Sequence, residues 1–291
     1  MIDALPGALG YAFMRHALAA GVLVSVASGI IGTIVVVKRM VFISGGIAHA
    51  AYGGIGLGYY AKYSLLPLIL AGGLATGDQR PGSWPLLGAM LFSLLAAVVM
   101  GVIQRRTQQR ADTIIGVLWA IGMAVGILLI DLSEGYTADL MSYLFGSILA
   151  VERSELLLIL GLDVAIVVLV VLLYKELLAI TFDETFATVE NVPVDAIYIV
   201  LLCLIALTVV VMMRIVGLIM VIAMLTMPAA IAGQYARDMK RMMVASIILG
   251  MTFTIVGLWL SYAWNVTSGA SIILVSGVAY LASLAVGSLR S

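Results

Sequence analysis

His49 is the side chain in this sequence with the widest chemistry open to it. It lies in Met40–Tyr59, MVFISGGIAHAAYGGIGLGY, a stretch apolar enough to cross a bilayer. On a helix, Gly45, His49, Tyr52, Gly53 and Gly56 share one face, since residues three, four and seven apart stack. A neutral imidazole can ligate a divalent transition metal or carry a proton. Its glycine neighbours let another helix come close. An ionisable group at membrane depth is costly and turns toward a bundle interior or a cavity, which marks a candidate site. The plainer alternative is a packing histidine bonded to a nearby backbone carbonyl.

Two other places carry chemistry. Asp163, in Leu160-Gly-Leu-Asp-Val164, is the second intramembrane charge and can snorkel, bond locally or take part in transport. Pro228 lies inside the run Arg214–Ala232. It has no N–H, so the carbonyl of Met224 loses its helical donor, and the span reads as a helix either broken or simply kinked at the proline. Broken helices at membrane depth line protein or a substrate path. The single cysteine, Cys203, excludes an internal disulfide and a multi-cysteine metal cluster. It reads as a small buried hydrophobe, and the 16 methionines as core filler.

Enzymatic patterns are missing. No phosphate-binding G-x-x-x-x-G-K-[ST] loop occurs, so the chain does not hydrolyse ATP by itself. His16 and His49 are the only histidines, and no H-E-x-x-H or Ser/His/Asp arrangement appears.

The elements that must position these residues are membrane helices. Of the 291 residues, 64% are hydrophobic and 10% charged, against about 25% charged in a soluble domain. The reading is an all-α polytopic membrane protein, one permease domain over 1–291, in contact with lipid. Net charge is zero, so nothing points to nucleic acid. Apolar runs of span length occur at 13–37, 41–61, 85–103, 113–130, 155–174, 196–213, 215–233, 242–262 and 270–289, about nine in all. The shorter runs 65–74 and 140–151 read as re-entrant segments or half-helices. No basic region precedes the first run, so no cleavable signal peptide is expected. With the N-terminus outside, Lys38, Arg39, Arg105, Arg106, Arg110, Lys175, Arg237, Lys240, Arg241 and Arg290 fall in the cytoplasm together with the C-terminus.

The loop 175–195 stands apart. Thr181 and Glu184 form a capping-box pattern, and Asp183 and Glu184 suit the positive end of a helix. Phe182, Phe186 and Val189 recur on one face, and Pro193 marks the end. A short amphipathic helix near 181–190 is expected, lying on lipid or on a partner.

In order along the chain, Val37–Ile43, the glycine-rich segment around His49, Arg110–Leu118, Ser142–Ser147, Phe182–Ala187 and Val216–Ala230 resemble the permease subunits of the manganese/zinc/iron class of bacterial ABC importers. The resemblance covers nearly the whole chain. It implies a type II ABC-importer-like bundle and a dimeric pore, most simply a homodimer, in a cell (inner or plasma) membrane. It also implies two cytoplasmic ATP-binding subunits, an extracytoplasmic metal-binding protein and a transported divalent metal ion. The helix bearing Phe182, Asp183, Glu184, Phe186 and Ala187 becomes the coupling helix. His49 becomes a metal ligand on the permeation path, with Asp163 and the Met224 carbonyl as further candidates and Gly45, Tyr52, Gly53 and Pro228 packing beside the path. Many members carry an aspartate four residues before this histidine; here that position is Gly45. The competing reading is a proton-coupled secondary transporter using His49 and Asp163, which would ordinarily show an internal repeat; none is evident.

Overall fold

The computed structural model describes residues 10–65, 84–107, 110–133, 146 and 148–288. The long apolar runs are helical, because only a helix or a closed barrel satisfies backbone groups inside hydrocarbon. In order they are α1 (Ala12–Val37), α2 (Val41–Tyr60), α3 (Trp84–Arg106), α4 (Ala111–Asp131), α5 (Arg153–Leu172), α6 (Tyr174–Phe182), α7 (Glu184–Val189), α8 (Val194–Val216), α9 (Leu218–Tyr235), α10 (Met239–Trp264) and α11 (Ser268–Ser288). Among the described residues nine helices, all but α6 and α7, are long and apolar enough to cross a membrane. Of the two half-helix expectations, 65–74 falls almost wholly outside the described residues. Only a 3₁₀ turn, Ile148–Ala150, is described in the other.

The chain divides into two compact units: Phe42–Leu140 with Asp195–Val210, and Met1–Val41 with Met141–Val194 and Val211–Ser291. In the second, α1 and α10 meet along small residues. Gly21, Ser25, Gly29 and Thr33 recur every fourth residue on α1, and face Thr254, Gly250, Ile247 and Ser246 in reverse order. A Cβ on Gly29 would lie 2.7 Å from the backbone nitrogen of Ile247. Such contact replaces the hydrophobic drive that lipid removes. The Thr33 and Ser246 hydroxyls meet at 3.2 Å across the seam. Helices α5, α9 and α10 all pack on α1, and α11 packs on α9 and α10.

The broken-helix reading of Pro228 is corrected. Helix α9 runs through Pro228 without a break, and the interruption falls at Gly217, the single residue between α8 and α9. Gly217 has φ 79° and ψ 161°, a conformation essentially reserved for glycine. The backbone of Gly146 crosses it so closely that a Cβ there would lie 2.3 Å from the Gly217 nitrogen. Neighbouring helices let α9 tolerate the one hydrogen bond that Pro228 removes.

Candidate functional site

In the Phe42–Leu140 unit, α2 is held between α3 and α4 by backbone contact. Cβ atoms on Gly53 and Gly56 would lie 2.8 and 2.4 Å from the carbonyl oxygens of Gly122 and Gly126. The order of these contacts makes α2 and α4 parallel. On the other side, Gly54 and Gly58 face Gly88 and Trp84 of the antiparallel α3. The glycines of α2 therefore set interhelical distances on two faces. Tyr52 is buried among them, its carbonyl 2.6 Å from a Cβ built on Gly126.

His49 is 8% exposed. Its Nδ1–H donates to the Gly45 carbonyl one turn earlier, at 2.8 Å. That bond assigns the proton to Nδ1, leaving the lone pair on Nε2, the arrangement used by ligating histidines. The ring stacks on Trp119 of α4, with centroids 3.7 Å apart and planes at 26°. Trp119 is the residue that sequence reasoning missed. Its signal was its place on α4, three and seven residues before Gly122 and Gly126, where α4 touches α2. This indole covers one face of the imidazole.

The other candidates lie in the second unit. Asp163, on α5, is 3% exposed, and neither carboxyl oxygen has a hydrogen-bond partner among the described residues. It neither snorkels nor bonds locally. Met224 and Pro228 are both buried on α9, with Met224 reaching toward Gly250 of α10. Among the described residues no group of three or more His, Cys, Asp and Glu side chains comes together as a metal cage.

The loop helix differs in detail from its sequence reading. Thr181 belongs to α6 and its hydroxyl donates to the Leu177 carbonyl at 2.5 Å, so it caps nothing. Asp183 is the cap, accepting from the backbone N–H groups of Thr185 and Phe186 at 2.8 and 3.0 Å. Phe182 ends α6, while Phe186 and Val189 lie on α7. The closing turn comes before Pro193, which instead caps α8. Asn191, at φ 58°, supplies the left-handed residue, and the Val192 N–H donates to the Ala187 carbonyl at 3.0 Å, a role asparagine fills in place of glycine. Glu184 does not reach back. It pairs at 2.6 Å with Lys38, whose Nζ also donates to the Ile180 carbonyl at 2.5 Å. Lys38 ends α1, so α6 and α7 are tethered to the end of a span. Ala187 is buried, whereas Phe182, Phe186 and Val189 are 67%, 58% and 75% exposed.

Nine apolar spans among the described residues, a buried imidazole on α2 and a tethered short helix with exposed apolar side chains fit a polytopic transport permease. The chain belongs to the ABC 3 transport family, whose sequence pattern matches residues 10–287; the resemblance drawn from its ordered motifs is borne out. It is similar to an uncharacterized membrane protein of Synechocystis sp., 56% identical over 98% of this chain and 94% of that protein. It is also similar to the manganese transport system membrane protein MntC of Halalkalibacterium halodurans, 29% identical over 94% and 86% of the two chains. Among solved structures, PsaBC from Streptococcus pneumoniae in complex with Fab matches with a TM-score of 0.80 at 31% identity, over 97% of this chain and 95% of that one.

Proposed function

We propose that this chain is the permease of an ATP-driven importer of a divalent transition metal, with manganese the first cargo to test. The observation that carries the reading is His49, buried within the spans with Nδ1 committed to the Gly45 carbonyl and Nε2 left to ligate. The manganese name of a relative of similar length supports the cargo class. One imidazole does not distinguish manganese from zinc or iron. A stable zinc site takes four ligands, but an ion in transit must bind weakly enough to leave. A single side-chain ligand, helped by water or backbone carbonyls, suits that need, with selection made by an extracytoplasmic metal-binding protein.

Energy enters from a separate cytoplasmic ATP-binding subunit that docks on α7. Phe182, Phe186 and Val189 form the contact, and the Lys38–Glu184 pair passes its displacement to α1. Two copies of the chain form the pore, with both ends of α6–α7 cytoplasmic and the N-terminus outside. The test is uptake of radiolabelled manganese by cells that express the chain with its ATPase, in competition with zinc and iron. Phe186→Asp should abolish recovery of the ATPase with the permease while insertion persists. Unchanged co-purification would place α7 on lipid instead.

A further inference from the structure

A groove of about 600 Å³ runs between α9 and α10, in the second unit. Its bed is made of small side chains, Ala232, Ala236 and Ala245, over a core cluster that includes Met242. Ile231 and Tyr235 form one bank, Ile248 and Leu249 the other, and Arg237 and Arg241 close one end. From Arg241 to Leu249 the groove follows eight residues of α10, about 12 Å along the helix. It therefore starts at the polar end of two spans and continues down their apolar flank.

We infer that this groove binds one anionic phospholipid, its phosphate at Arg237 and Arg241 and an acyl chain lying along Ala245 and Leu249. Three features favour a lipid over an acidic protein segment. Below the arginines the walls carry no charge and are apolar except for the Tyr235 hydroxyl, as an acyl chain needs and a charged peptide does not. The groove lies along helices that cross the membrane, so lipid is its immediate neighbour. Arginine matches phosphate through paired N–H donors, and basic pockets between membrane helices are a recurring mode of anionic-lipid capture. Arg241 Nε lies 3.0 Å from Asp238 Oδ2, which orients the guanidinium. Lys240 is drawn aside over the Tyr174 ring, 5.1 Å from its centroid, so among the described residues Arg237 and Arg241 are the cations that line the mouth.

The test is native mass spectrometry of the full-length permease, co-expressed with its ATPase and exchanged into neutral detergent. It is titrated with phosphatidylglycerol, with phosphatidylcholine of the same chains, and with inorganic phosphate. One phosphatidylglycerol should be retained in preference to phosphatidylcholine, and phosphate alone should not be retained. Arg237→Gln with Arg241→Gln should weaken retention roughly twenty-fivefold, about fivefold for each arginine. Ala245→Phe, which fills the bed and leaves both charges, should also displace the lipid. Equal retention of the two lipids, or retention unaffected by either variant, overturns the inference. So does loss of the ATPase from the arginine variant with lipid binding intact, which would assign the groove to a protein partner.

Discussion

Gly122 and Gly116 lie on the same helix, α4, and the same substitution should have opposite effects at the two. A Cβ on Gly122 would sit 2.5 Å from the Cα of Ala50 and 3.2 Å from the His49 carbonyl oxygen. Carbon atoms prefer about 3.5–4.0 Å, and the obstacle is backbone, with no rotamer to turn away. Gly122→Ala must therefore part α2 from α4 by roughly 1 Å, at an overpacking cost of about 1–3 kcal/mol. The separation also loosens the His49–Trp119 stack. At Gly116 nothing lies within 4 Å of the added carbon, and alanine should gain about 0.4–1 kcal/mol by stiffening the unfolded chain. Thermal unfolding of the two purified variants in detergent should separate them in opposite directions from the parent, by about 1.4–4 kcal/mol between them. Metal uptake should fall only in Gly122→Ala. Equal stability of the two would refute the claim that glycines fix the α2–α4 distance and the setting of His49.

Three further outcomes follow from the same geometry. Asp183→Ala removes the acceptor for two N–H groups and should cost α7 about 1 kcal/mol, seen as faster amide exchange at Thr185 and Phe186 and weaker ATPase recovery. Gly217→Ala forces a side chain into a glycine-only conformation and should cost about 1–3 kcal/mol, lowering assembled protein in membranes, whereas Pro228→Ala restores an N–H within a continuous helix and should leave the amount unchanged. Trp119→Ala should reduce uptake about two- to tenfold, the worth of an aromatic contact, and Trp119→Phe should restore most of it.

The spans were legible because hydrocarbon demands long apolar runs, and each of the nine runs became a helix with ends shifted by a few residues. The break in the α8–α9 region was not. Pro228 has a conspicuous chemistry but a modest cost where neighbours pack around it. Gly217, one of 30 glycines, betrays its left-handed backbone only once φ is known. His49 could be singled out as an ionisable group among apolar neighbours, but its partner Trp119 lies 70 positions away, and only the meeting of α2 and α4 joins them. At the loop helix the apolar spacing located the exposed side chains, while the cap moved from Thr181 to Asp183 because α6 continues to Phe182. Asp163 read as a charge able to find local relief; its burial without a hydrogen-bond partner among the described residues depends on how α5 packs, which spacing does not reveal.

The central claim, that His49 carries the transported ion, is tested most directly by reconstitution. The permease and its ATPase in proteoliposomes, supplied with the metal-binding protein, should accumulate radiolabelled manganese when ATP is present. His49→Ala should lose most of that accumulation while the complex assembles and hydrolyses ATP at its basal rate. Accumulation by His49→Ala at the parent rate would contradict the account and leave the imidazole a packing group bonded to Gly45.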